Sequence, residues 1–209
     1  MLLSNMIEIW AYSLISVLIV SLISLVGIIT FSINTERLKQ FLIYMIAFSA
    51  GALFGDAFIH LLPEIVEKQG FTFNISIYIL LGIVFSLFVE KIIHWRHCHL
   101  PITKTHVHSF SIMNLFGDSV HNFIDGLIIG ASYLVNIPVG IATTLAVILH
   151  EIPQEIGDFG VLIHGGFSKT KALFFNFFTA LTSFIGVVIS LLLSSKVENI
   201  TTFLIPFAA

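Results

Sequence analysis

Two short polar strings stand inside hydrophobic sequence: His121-Asn122-Phe123-Ile124-Asp125 and His150-Glu151-Ile152-Pro153-Gln154-Glu155. Imidazole together with carboxylate suits borderline divalent ions such as Zn²⁺ or Fe²⁺, and also Mn²⁺. Thiolate-dependent ions would want cysteine, and the chain has only Cys98, which also excludes an internal disulfide. Placing charge in hydrocarbon costs about 2.5–3.5 kcal/mol per residue, so ionisable groups at helical spacing in apolar segments read as a functional site.

The spacing sorts these groups onto two helix faces. At 100° per residue, Asp118, His121, Asn122 and Asp125 fall within an arc of about 100°. On the next segment His150, Glu151, Gln154, Glu155 and Asp158 fall within about 140°, leaving the rest of that helix to Val, Ile, Leu, Phe and Gly. Two such stripes can pair in a bundle interior, either as an interhelical hydrogen-bond network or as ligands of a divalent cation. Interhelical bonds contribute only about 0.6 kcal/mol on average. That is a weak reason to place so many polar groups together, and metal coordination is the reading favoured. Pro153 has no N–H to give the Leu149 carbonyl beside His150. In lipid that carbonyl must face protein, water or an ion, although a packing kink is compatible with the same residue.

The elements that hold these faces are membrane helices. The chain is 57% hydrophobic and 10% charged, with a mean hydropathy of +1.03, against about 25% charged in soluble domains. The fold class expected is an all-α polytopic helical bundle. Apolar runs of about 20 residues predict six spans near 10–33, 41–62, 75–93, 111–135, 138–164 and 171–194. The first has no basic residue before it and no small-residue cleavage pattern, so it reads as a retained helix. Thr201 to Ala209 opens a seventh apolar run, and the chain reads as C-terminally incomplete. No repeat, low-complexity tract or long polar segment marks a second domain, so residues 1–209 form a single transmembrane domain with a His-containing cytoplasmic loop at 94–110.

Basic residues orient the bundle, because loops on the cytoplasmic side carry an excess of them. Arg37, Lys39, Lys91, Arg96, Lys104, Lys169 and Lys171 lie on one side, whereas Lys68 and Lys196 lie on the other. The N-terminus is therefore expected outside. His94, His97, His99, His106 and His108 give the cytoplasmic loop enough imidazole to bind metal loosely, and an exposed loop with incidental affinity fits equally. Asp56, His60 and Glu64 share one face of the second span at i, i+4 and i+8. Asp56 and His60, with Asp118, are candidate pathway residues, and Glu64 reads as a helix end near the membrane edge. Gly51 with Gly55 and Gly126 with Gly130 are small-xxx-small pairs suited to close helix packing.

These motifs resemble those of the ZIP (Zrt/Irt-like) family of divalent metal transporters. His121 to Gly126, HNFIDG, resembles the family's fourth-helix signature. His150 to Phe159, HEIPQEIGDF, resembles the fifth-helix signature of the branch that usually reads HExPHExGD. The similarity extends over all six spans, including GDAFIHLLPE at Gly55 to Glu64. The resemblance implies eight helices with both ends outside, a homodimer, a metal path between helices two, four, five and seven, and a binuclear site built from helices four to six. One metal position would use His121, Asp125, His150 and Gln154. The other would use Asn122, Asp125, Glu151 and Gln154 with Asn176. Gln154 stands where a second histidine is common. It is a neutral, weaker ligand, for which Glu155 or Asp158 would compensate.

The function expected is a carrier in the cell membrane that moves Zn²⁺ into the cytoplasm by alternating access, with Fe²⁺, Mn²⁺ and Cd²⁺ as further substrates. Its partners are metal ions and the lipid bilayer, and nothing points to nucleic acid. No ATP-binding motif is present. A nontransporting metal sensor or scaffold is the alternative. An intramembrane metalloprotease is a third reading, since His150-Glu151 begins an HExxH-like string. Gln154 replaces its second zinc histidine, and Pro153 distorts the turn that would align the two.

Overall fold

The computed structural model describes residues 2–32, 41, 44, 47, 48, 50, 51, 54–97 and 109–193. Every element among the described residues is helical. Helix α1 (Leu2–Ile23) runs directly into a 3₁₀ stretch, Ser24–Ser32. A π-helical turn, Asp56–Leu61, leads into α2 (Leu62–Gln69), and α3 spans Phe73–His97. Next come α4 (Ser109–Val135), α5 (Ile137–His164), α6 (Lys169–Ala180) and α7 (Thr182–Leu192).

Among the described residues, three stretches are long and apolar enough to cross a membrane: Met6–Ile29, Ile137–His164 and Lys169–Leu192, with Phe73–Val89 a shorter apolar helix. α4 has the length, at 27 residues, but its Asp, His and Asn residues lower its mean hydropathy. The chain is thus a helical membrane protein whose candidate chemistry lies on α4 and α5. Its boundaries differ from the sequence reading at three places. The first helix starts at Leu2 rather than near residue 10, α3 continues to His97, and the sixth expected span is interrupted at Leu181.

Local side-chain bonds explain the interruptions. Thr179 donates to the Asn176 carbonyl at 2.7 Å, Thr182 to Thr179 at 2.7 Å and Ser183 to Ala180 at 2.7 Å. Three hydroxyls in succession thus reach carbonyls three residues back and compete with the helical ladder. Ser24 makes the same bond to the Ser21 carbonyl, at 2.7 Å, where α1 passes into the 3₁₀ stretch. α5 starts cleanly because Asn136 Oδ1 accepts from Val139 N–H at 2.9 Å and Pro138 sits in the first turn. It runs through Pro153 as one helix.

α4 is the central element, with α5 against one side and α7 against another. The α4–α7 crossing is close. A Cβ on Gly126 would lie 2.0 Å from the Ser183 carbonyl oxygen, and one on Gly186 would lie 2.1 Å from that of Phe123. Where α1, α4, α5 and α7 meet, Val17, Val20, Ile129, Tyr133, Val147, Val187 and Leu191 form the core. Tyr133 shares a 2.8 Å hydrogen bond with Ser16, and Ser21 donates to the Ala180 carbonyl at 3.0 Å. Lipid tails are as apolar as leucine, so close packing and hydrogen bonds must hold such helices together. Leu18, Leu145, Leu149, Phe174 and Phe178 accordingly lie exposed on the outside.

Candidate metal centre

α4 and α5 run antiparallel, so successive turns of one face successive turns of the other. Ser111 donates to the Val161 carbonyl at 3.3 Å, Asn114 to Asp158 at 3.1 Å and Gln154 to Asp118 at 3.4 Å, and His150 meets Asp125 at 3.2 Å. Along this seam the polar groups separate into two sets, each about one helical turn deep.

The first set is His121, Asp125, His150 and Glu151, whose ligand atoms all lie within 4.8 Å of one another. His121 Nε2 is 3.6 Å from Asp125 Oδ2 and 3.5 Å from Glu151 Oε1. His150 Nε2 is 3.2 Å from the same Asp125 oxygen and 4.0 Å from the same Glu151 oxygen. The imidazole rings stand edge to face, 5.4 Å apart. A tetrahedral ion with bonds of about 2.0–2.1 Å has ligand-to-ligand edges of about 3.3 Å. These four atoms therefore stand close to the spacing that such an ion requires. The carboxylates are buried while the imidazoles keep side-chain exposures of 17% and 18%, so the set is open on its histidine side. Next to it, between α3 and α4, a cavity of about 110 Å³ is lined by Phe85, Met113, Phe116 and Val120, with His121 at one end.

The second set is Asp118, Glu155 and Asp158, each buried and each served by an amide. Asn122 Nδ2 donates to Asp118 Oδ1 at 2.8 Å and to the Asp118 carbonyl at 3.1 Å. Gln154 Nε2 points to that same Oδ1, Asn114 Nδ2 donates to Asp158 Oδ1, and Asn176 Nδ2 donates to Glu155 Oε2 and to the Glu155 carbonyl. Asn176 comes from α6, which closes this end of the seam.

The geometry divides the residues singled out by sequence. His121, Asp125 and His150 converge, and Glu151 stands with them. Gln154, Asn122 and Asn176, expected to ligate a second ion, donate N–H groups to the carboxylates of the second set. Asp118, expected on a pathway, accepts from two of those amides. Asn114 escaped the sequence reading, although it lies four residues before Asp118 on the same helix face. Asp56 and His60 lie in the π-helical turn, and their side chains are outside the described residues. His94 and His97 lie on the final turns of α3, also without described side chains, and His99, His106 and His108 are outside the described residues.

Comparison with known proteins agrees with this class of site. The family model described as ZIP Zinc transporter matches residues 7–111 and 102–209. The chain belongs to the ZIP zinc transporter family, a family of transporters and not of enzymes. It is 30% identical to zinc transporter zipt-7.1 of Caenorhabditis briggsae, over 97% of this chain and 66% of the relative. Identity is 29% to zinc transporter ZIP13 of Rattus norvegicus, over 83% and 59%, and 28% to metal cation symporter ZIP14 of Mus musculus, over 90% and 55%. The chain spans about half to two thirds of the length of these relatives. No solved structure matches it. Family membership sets aside the metalloprotease reading.

Proposed function

We propose that this chain is the metal-conducting domain of a transporter that carries a divalent cation, Zn²⁺ first, across the cell membrane into the cytoplasm. The observation that carries the reading is the first set: two imidazoles and two carboxylates at tetrahedral spacing, on paired helices of a membrane protein. Two carboxylates cancel the charge of a divalent ion, which lowers the cost of holding it in a low-dielectric seam. His121 and His150 replace two of its water ligands. Asp125 faces both rings, so its loss removes one contact from each. Fe²⁺, Mn²⁺ and Cd²⁺ are secondary substrates for an N/O ligand set.

In this reading the chain crosses the membrane six times with its N-terminus outside, and two copies associate. The centre is binuclear, with a second ion bound beside the first between helices four, five and six. Alternating access moves one helix group against another around a site at membrane depth. Asp56 and His60 hand ions toward or away from that site, and the histidines between 94 and 110 receive them on the cytoplasmic side.

The test is uptake of Zn²⁺, Fe²⁺, Mn²⁺ and Cd²⁺ by proteoliposomes holding the full-length protein, beside a His121→Ala/Glu151→Ala variant. Saturable uptake that the variant loses supports transport and ranks the substrates. Metal binding without uptake in the same vesicles would replace the transporter with a sensor or scaffold.

A further inference from the structure

His121 borders two different regions of the molecule. Its Nε2 faces Asp125 and Glu151 across the seam, and the residue also forms one end of the cavity between α3 and α4. From the first set, both the acid row of the seam and this cavity run toward the N-terminal end of α4. They differ in whether an ion could pass.

The seam is closed. Asp118, Glu155 and Asp158 are buried, and amides from α4, α5 and α6 are tied to them. An ion moving there would have to break these hydrogen bonds one after another. The α3 side is open. Gly117 lies one turn before His121 on the same face of α4; it is exposed, and a Cβ built on it meets nothing within 4 Å. Met113 lies a further turn away, so the cavity follows α4 from His121 for about 12 Å, to within one turn of the helix start at Ser109. At that end Phe110 packs against His164, with ring centroids 6.1 Å apart, and His164 is exposed at the last residue of the apolar span Ile137–His164. The groove therefore leads to an imidazole at a membrane face.

Its size and lining suit passage better than binding. A water needs about 10–15 Å³ of such space, and the cavity of about 110 Å³ has room for several. Ser86 of α3 offers a hydroxyl, and Phe85 and Phe116, with ring centroids 6.2 Å apart, are aromatic rings that attract a cation over their faces without ligating it. No carboxylate lines the groove. A conducting path requires contacts weak enough for the ion to leave.

We infer that the groove between α3 and α4 is the route by which the ion exchanges between the first set and the membrane face at the α5–α6 turn, with Gly117 as its floor. The inference rests on the first set as the proposed metal site. It puts α3 on the path, where the family resemblance implied helices two, four, five and seven, and it leaves the acid row beside the path.

The experiment uses the full-length protein in proteoliposomes, free of other cysteines, as the Gly117→Cys variant with a charged thiol reagent that does not cross the bilayer. The reagent should react from the face that holds the α5–α6 turn, and the modified protein should lose Zn²⁺ uptake while binding Zn²⁺ with unmodified affinity. Gly117→Leu should reproduce this without reagent. Its side chain enters open space, and uptake should fall by roughly tenfold or more at unchanged affinity. No reaction from either face, the result for a groove filled by lipid, overturns the route, as does uptake that survives modification. Equal losses of affinity and uptake in both variants also overturn it, because the groove would then only support the site. If the unmodified protein binds Zn²⁺ but carries none, the transport reading fails. The route then stands or falls on the rate at which bound Zn²⁺ escapes to a chelator on that face, which modification should slow; an unchanged rate overturns it.

Discussion

The two polar sets on the α4–α5 seam are neighbours and both are built on buried carboxylates, yet they differ in what stands opposite each acid. In the first set Asp125 and Glu151 face imidazoles, which present lone pairs when neutral and are themselves metal ligands. In the second set Asp118, Glu155 and Asp158 face amide N–H groups, which can only donate. The first arrangement gathers four donor atoms around one point. The second holds half of each carboxylate and leaves the other half buried. Partner chemistry therefore separates a compact cluster of nitrogen and oxygen atoms from a row of amide-held acids, although both lie on the same helices.

Asp125→Ala should break the comparison most completely. It removes the oxygen shared by both histidines, and Zn²⁺ flux in proteoliposomes is expected to fall to the protein-free background. Wild-type flux in that variant would sink the site assignment. Gly186→Val is next, because any Cβ there meets α4 backbone at the close crossing. Overpacking of this kind costs about 1–3 kcal/mol. It should lower the thermal midpoint and disturb both sets together, whereas the ligand variants disturb one at a time.

Gln154→His sharpens the contrast. It supplies an imidazole to the seam and withdraws one of the two amide donors from Asp118 Oδ1. The ratio of Zn²⁺ to Mn²⁺ affinity, measured by competition, should rise by roughly tenfold, about 1.4 kcal/mol; an unchanged ratio would mean that position 154 does not act on either set. The smallest effect is expected for His60→Ala, which should slow uptake by a few-fold while metal occupancy of the purified protein stays near that of wild type.

Much of the site was legible from spacing alone. Asp118, His121, Asn122 and Asp125 share a face because a helix repeats every 3.6 residues, and the same rule aligns His150, Glu151, Gln154, Glu155 and Asp158. Their ligand chemistry follows from residue type. What spacing could not resolve was the direction of the neutral side chains. Gln154 and Asn122 can each offer a carbonyl to an ion or an N–H to a carboxylate, and their neighbours across the seam decide which. Asn114 remained unassigned for the same reason, because its partner Asp158 lies 44 positions away. The interruption at Leu181 was hidden as well, since hydropathy does not register the hydroxyl-to-carbonyl bonds that accompany it.

By itself the sequence determined the helical membrane class, the two polar faces and the acids and imidazoles they carry, because these depend on composition and on short-range periodicity. Only the tertiary structure decided that Glu151 stands with His121, Asp125 and His150 and that α6 brings Asn176 to Glu155. It also decided that α4 is the element between α5 and α7. Those outcomes depend on the register of one helix against another. That register is set by contacts such as Gly126 against Ser183 and Gly186 against Phe123, between residues more than fifty positions apart.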